Sequence, residues 1–193
     1  MPNHRDEIYI KQIIDGDSRA YGFLVEKYQA MVFTLCVRML QDQDDAQDAA
    51  QEAFIKCFQS LKSFKGDSKF STWLYKITYY HCIDVLKRNK KSLTYEIDEN
   101  VLEGEFAPLD GFLEELDSNE TTLLLNTAIS NLSPDEQVIL QLYYYEELPL
   151  KEIAEVVSLT MENVKIKLFR ARKKLYTLLK PQEQTLKQRY EHR

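Results

Sequence analysis

The chain is poor in the residues that make turns, with five glycines and five prolines in 193 positions. A sheet-rich fold needs a turn signal every 8–12 residues or so, and that punctuation is missing here. Cysteine is also sparse. Cys36, Cys57 and Cys82 are odd in number, widely spaced and set in apolar helical patterns, which points to core thiols rather than a disulfide framework or a zinc site. No apolar run approaches the roughly 20 residues that cross a bilayer. The opening M-P-N-H-R-D has no signal-peptide apolar region, so a cytoplasmic location is expected. His4, His81 and His192 lie far apart without metal-ligand spacing, and no glycine-rich loop is placed to cradle a phosphate. Neither a cofactor nor a metal is expected.

Positive charge is missing from one long stretch. Between residues 92 and 150 there is no Lys, Arg or His, but there are fourteen acids. The net charge of −6 therefore hides a reversal: residues 1–91 carry 14 basic against 12 acidic groups, and residues 151–193 carry 11 against 5. Binding follows local patches rather than the sum, so two basic lobes flank an acidic middle.

What the chain has in abundance is the 3.6-residue hydrophobic period. The expected fold class is all-α, with two small helical domains, 1–91 and 119–180, an acidic linker 92–118 and a tail 181–193. Residues 6–15 read as a short helix ended by Gly16. Ser18 then caps a longer helix to about residue 41, with Tyr21, Leu24, Val25, Tyr28, Val32, Leu35, Cys36 and Met39 on its apolar stripe. A third helix begins among the acids at 42–45, which suit a helix N-terminus. Its inner face is Ala46, Ala50, Ala53, Phe54, Cys57 and Leu61; its outer face is Asp45, Asp48, Glu52, Ile55 and Gln59. Such a face is either ordinary solvated surface or a dock for a basic partner helix.

The stretch 64–91, F-K-G-D-S-K-F-S-T-W-L-Y-K-I-T-Y-Y-H-C-I-D-V-L-K-R-N-K-K, opens with a loop and runs for about five helical turns, with Ser71 as the expected N-cap. Leu74, Thr78, His81, Cys82 and Val85 fall on one side, Ile77 at its margin; Lys76, Tyr79, Tyr80, Ile83, Lys87 and Lys90 fall on the other. Seven basic residues meet two acids, Asp67 and Asp84. Rings beside ammonium groups suit single-stranded nucleic acid, because rings stack on unpaired bases and cations follow phosphates. A solvated basic helix is the plain alternative.

From 92 to 118 the period fails, except for a short amphipathic turn expected at 109–116. The acidic linker either keeps the protein soluble or lies in a positively charged channel of a partner. Residues 119–131 are helical by pattern, on Leu123, Leu124, Thr127 and Ala128. Ser133-Pro134-Asp135-Glu136 is a capping box with proline at the first helical position, and its helix carries Val138, Ile139, Leu142 and Tyr143 to about residue 147. Pro149 opens a short helix using Leu150, Ile153, Ala154 and Val157. After the turn Ser158-Leu159-Thr160, a basic helix capped by Thr160 runs to about 179 and stops at Pro181. Val164, Leu168, Ala171, Leu175 and Leu178 form its stripe. A short helix, a three-residue turn and a longer basic helix make a helix-turn-helix, whose second helix fits a DNA major groove.

Three ordered segments resemble the extracytoplasmic-function branch of the sigma-70 family of RNA polymerase sigma factors. D-D-A-Q-D-A-A-Q-E-A-F (44–54) is similar to that family's core-polymerase-binding helix. F-K-G-D-S-K-F-S-T-W-L-Y-K-I (64–77), continued by Asp84, Leu86 and Arg88, is similar to its promoter-melting segment. L-S-P-D-E-Q-V-I-L (132–140) with I-A-E-V-V-S-L-T-M-E-N-V-K-I-K-L-F-R-A-R-K-K-L (153–175) is similar to its C-terminal domain. The resemblance implies a region-2-like four-helix domain that binds polymerase and opens the minus-ten element. It also implies a region-4-like domain that reads the minus-thirty-five element, and a linker threading the polymerase channels. The implied partners are core RNA polymerase, promoter DNA both double-stranded and melted, and an anti-sigma factor, with no small-molecule substrate.

Carried over by position, Asp45, Asp48, Gln51, Glu52 and Phe54 belong to the polymerase contact. Lys65, Asp67, Ser68, Lys69 and Phe70 form the loop that captures a flipped base, with Trp73, Lys76, Tyr80, Lys87 and Arg88 along the minus-ten strand. Thr160, Asn163, Lys165, Ile166, Lys167, Phe169, Arg170 and Lys173 face the minus-thirty-five duplex, cations on phosphates and Ile166 or Phe169 on thymine methyls. The chain departs from the family at Gln47, where an acid is usual, at Ala49, where a larger apolar residue is usual, at Tyr79-Tyr80 and at Ser158, where glycine is common. A left-handed Ser158 costs about 1 kcal/mol relative to glycine.

Two other readings fit parts of the chain. A stand-alone helix-turn-helix regulator explains the C-terminal lobe and leaves the first ninety or so residues idle. A metal-dependent hydrolase built on Asp44, Asp45, Asp48 and Glu52 lacks the histidines or further acids such sites draw from neighbouring helices.

Overall fold

A computed structural model describes residues 4–88 and 119–191, and every regular element among them is helical. The expected linker, with its turn at 109–116, lies outside the described residues. Helix α1 spans His4–Ile14, α2 Tyr21–Leu40, α3 Gln43–Ser60 and α4 Phe70–Arg88. In the second lobe α5 spans Asn119–Ser130, α6 Pro134–Leu140, α7 Leu150–Val157 and α8 Met161–Glu191.

Local chemistry accounts for most of these boundaries. Gly16, at φ +112°, ends the turn after α1 in a conformation that L side chains rarely adopt. Asp17, not Ser18, caps the short 3₁₀ turn Ser18–Ala20 by accepting the Arg19 amide, and α2 follows directly. Asp42 caps α3 by accepting the amides of Asp44 and Asp45, each at 3.0 Å. The capping box forms as read: Glu136 N–H donates to Ser133 Oγ, and Ser133 N–H donates to Glu136 Oε2 at 3.0 Å. Helix α4 begins at Phe70, so Ser71 lies inside it. Beyond α6 the backbone widens into a π turn, Gln141–Tyr145, that carries the chain to the Glu147 bend. Helix α8 continues through Pro181 rather than stopping there. A proline withdraws one backbone donor, and here the helix absorbs that loss.

Helices α2, α3 and α4 form the first lobe around Leu24, Val32, Leu35, Cys57 and Leu74, all fully buried. Sealing such a side chain from water contributes about 1.5–3 kcal/mol. The inner face of α3 is a row of alanines, Ala46, Ala49, Ala50 and Ala53, which lets its backbone sit close to its neighbours. Asp6 is buried under Lys27 Nζ and Tyr28 Oη, both at 2.6 Å, and ties α1 to α2. All three cysteines are free and buried, with Cys36 and Cys82 Sγ atoms 3.6 Å apart across α2 and α4. Burial pushes the Cys57 thiol up to about 11.

The second lobe closes on Val138, Ile139, Leu142, Ile153, Val156, Val164 and Ala171. Leu179 completes the α8 stripe at 4% exposure; Leu178, placed there from the sequence, is exposed. The two lobes share one apolar core, with α6 packed on α2 and α7 packed on α4.

Candidate nucleic-acid interface

The outer face of α3 follows from its inner one. With alanines turned to the core, Asp48, Gln51, Glu52 and Ile55 are exposed and Asp45 is half-buried. Ile55 is joined by Phe58, so acids border two exposed apolar side chains. Phe54, which the resemblance assigns to this contact and the period to the inner face, is 9% exposed; its ring packs edge-on to Tyr21 and its carbonyl accepts the Tyr21 hydroxyl at 2.7 Å. It holds α3 against α2 instead of facing outward.

The loop before α4 stands on a cluster of rings. Phe70 lies 5.8 Å from Phe64, 6.0 Å from Trp73 and 5.5 Å from Tyr28, centroid to centroid. Phe70 is 4% exposed, so it supports the loop from below, while Lys65, Asp67 and Lys69 are exposed, Ser68 is half-buried, and Gly66 takes φ +79° at the apex. Trp73 is half-buried on the same cluster; Lys76, Tyr80, Lys87 and Arg88 are exposed along α4. Tyr79 departs from the expected outer face. It is 3% exposed, because the second lobe covers it.

The helix-turn-helix is α7, the turn and α8. Ser158 is left-handed at φ +51°, ψ +45°, and its amide donates to the Ala154 carbonyl. Thr160 Oγ1 accepts the Asn163 amide at 3.2 Å, the expected cap. Along α8, Asn163, Lys165 and Lys173 are exposed, while Ile166, Phe169 and Arg170 are half-buried. The basic run is not uniformly outward. Lys167 Nζ donates to Asp135 at 3.3 Å, and Lys174 Nζ donates to Glu136 at 2.9 Å. Burial alone would raise the Glu136 carboxyl, but Lys174 and the Ser133 amide override it and hold it below the usual range.

Between the lobes lie contacts that no periodicity argument reaches. Tyr79 Oη donates to Asp135 Oδ1 at 2.8 Å, and Thr72 Oγ1 donates to Glu152 Oε2 at 2.7 Å. Lys69 Nζ is 3.9 Å from the same Glu152, and Arg38 sits 5.5 Å over the Tyr145 ring. Tyr75, 1% exposed, is raised above the ordinary phenol pKa by burial first and by Glu146 second. The one sequence signal here was Asp135 inside the capping box, a position that serves the helix N-terminus and the lobe contact together. Among the described residues no cluster of His, Cys, Asp or Glu has a geometry for a metal ion, and no helix is long and apolar enough to cross a membrane.

A family profile described as Sigma-70 region 2 matches residues 24–92, and one described as Sigma-70, region 4 matches residues 122–175. The chain is 33% identical over 192 residues to the RNA polymerase sigma-H factor of Pseudomonas aeruginosa, covering 94% of this chain and 97% of that protein. The chain belongs to the sigma-70 family, in its extracytoplasmic-function branch. A second relative, the ECF RNA polymerase sigma factor SigW of Bacillus subtilis, is 34% identical over 174 residues, 86% of this sigma factor and 92% of that one. Two solved structures share the fold. CnrH in complex with the cytosolic domain of CnrY matches with TM-score 0.62 at 21% identity, over 91% of this chain and 97% of that one. The sigma factor RpoE in complex with the anti-sigma factor NepR from Bartonella quintana matches with TM-score 0.64 at 17% identity, over 83% and 96%.

Proposed function

We propose that this sigma factor docks on core RNA polymerase through the exposed acids of α3, melts and reads the minus-ten element along α4, and reads the minus-thirty-five duplex with α8. The observation that carries this division of labour is the opposite chemistry of the exposed faces. Helix α3 shows Asp48 and Glu52 beside Ile55 and Phe58, a surface complementary to a basic amphipathic helix. The start and outer side of α4 show Lys65, Lys69, Lys76 and Tyr80, cations and a ring for an unpaired strand. Helix α8 shows Lys165 and Lys173 beside Ile166 and Phe169, cations for phosphates and apolar edges for thymine methyls.

In this reading the protein performs no bond chemistry of its own, works inside the cell where polymerase and promoters are, and is held in check by an anti-sigma factor. The loop 65–69 takes the extruded base on the ring cluster of Phe64, Phe70 and Trp73, so Phe70 acts by supporting the loop and Phe54 by fixing α3. Run-off transcription with purified core polymerase tests the assignment. Start-site selection is expected with the wild type and is expected to fail when α3 or α8 loses its charges. A chain that binds DNA specifically without polymerase and never redirects initiation would instead be a stand-alone regulator.

A further inference from the structure

Thr72, Lys76 and Tyr79 recur every three to four residues on one stripe of α4, and Lys69, the residue just before the helix, continues the spacing. Every polar group at their tips is a donor or a hydroxyl. What meets this stripe from the second lobe is a pair of acceptor-only anions: Glu152 receives Thr72 at 2.7 Å with Lys69 at 3.9 Å, and Asp135 receives Tyr79 at 2.8 Å. The two anchor points, Thr72 and Tyr79, are about 10 Å apart along the helix axis. Two anions at that spacing, on donors only, have the chemistry of a nucleic-acid backbone. Asp135 does a second thing, since its other oxygen accepts Lys167 of α8 at 3.3 Å. One carboxylate thus holds a side chain from each of the two helices assigned to promoter DNA.

The closed arrangement is incompatible with reading both elements together. Sites about 25 base pairs apart lie roughly 85 Å apart on B-DNA at about 3.4 Å per step. Two lobes that share a core cannot span that distance, and α7 meets α4 at Thr72 while Asp135 of α6 meets it at Tyr79.

We propose that Asp135 and Glu152 occupy backbone phosphate positions of the melted strand, holding the free sigma factor shut, and that Thr72 and Tyr79, with Lys69, become phosphate ligands once it opens. This rests on the reading of α4 as the strand-contacting helix. The carboxylates and the strand compete for one set of donors, so opening and strand binding are linked: whatever separates the lobes, polymerase docking first among the candidates, frees the stripe. Charge-assisted bonds of this kind are the strong ones, which makes the exchange near-balanced rather than costly.

The test compares two double variants in the full chain, with donor and acceptor dyes on exposed positions of α3 and α8. Asp135→Asn with Glu152→Gln is expected to lengthen the dye separation and to raise affinity of the free chain for a single-stranded minus-ten oligonucleotide at least tenfold. The same pair is expected to leave holoenzyme binding to that oligonucleotide within twofold of wild type. Thr72→Val with Tyr79→Phe is expected to open the lobes equally, yet to bring no gain in free-chain affinity and a loss of about tenfold or more in the holoenzyme. Unchanged separation in the acid variants overturns the latch. Equal gains in both variants overturn the phosphate stand-in, leaving simple steric cover. Glu152→Gln alone, half-buried in the first turn of α7, carries the same comparison if a double variant fails to fold. Wild-type holoenzyme that does not bind the oligonucleotide at all would refute the reading of α4 itself, a different result from any of these.

Discussion

Lys56 Nζ lies 2.7 Å from His81 Nδ1, and the other ring nitrogen lies 3.3 Å from the Glu52 carboxylate without hydrogen-bond alignment. An ammonium has only donors, so Nδ1 accepts and the ring proton sits on Nε2, toward Glu52. The imidazole is therefore neutral and 2% exposed, set directly behind the acid face of α3.

Burial and then Lys56 lower the His81 pKa from 6.5, against smaller opposing effects of Glu52 and Asp84. The unfolded chain takes up a proton below about pH 6.5 that the folded chain refuses, so stability is full above that pH and declines as pH falls. Urea denaturation at pH 8 and pH 5.5 is expected to show this decline. His81→Gln, which keeps an acceptor for Lys56 but does not titrate, is expected to flatten it. An unchanged slope would remove His81 as its source.

Ser158 holds a left-handed turn at the corner of the helix-turn-helix. Its Cβ costs about 1 kcal/mol there relative to glycine. Ser158→Gly is expected to stabilise the C-terminal lobe by about that amount, read as a raised melting temperature with promoter preference unchanged.

Asp48 and Glu52 stand one helical turn apart on the exposed side of α3. Reversing both to Lys sets like charges against a basic partner, which costs several kcal/mol. Core polymerase is expected to bind the variant at least about tenfold more weakly, while its circular dichroism spectrum and cooperative melting stay those of the wild type. Undiminished co-elution with core would exclude this face as the dock.

Lys165 is exposed on α8 and Arg170 half-buried a turn and a half further along. Lys165→Ala with Arg170→Ala is expected to weaken holoenzyme binding to promoter duplex and to lower its salt slope by about two, one for each lost phosphate contact. Core binding is expected to be unaffected.

The helices were legible because their signals are local. The α2 stripe, the α3 alanines, the acids at 42–45, the Thr160 cap and the Ser133–Glu136 box each act within four residues. Tyr79 was misplaced for the opposite reason. A period of 3.6 tells two faces of a helix apart, but not solvent from a second lobe, and Tyr79 is buried by residues more than fifty positions away. Phe54 and Phe70, which the family resemblance assigns to contacts, are both buried, Phe54 on the inner side where the α3 period places it. Pro181 failed as a stop because a single missing donor does not end a helix by itself.

The most direct measurement is multi-template transcription with purified core polymerase and this chain alone, start sites mapped by sequencing the 5′ ends. Initiation is predicted to concentrate downstream of one shared pair of upstream sequences, and to scatter to core background with the Lys165 and Arg170 variant. The same scattered starts with and without wild-type protein would contradict the assignment of α4 and α8 as promoter readers.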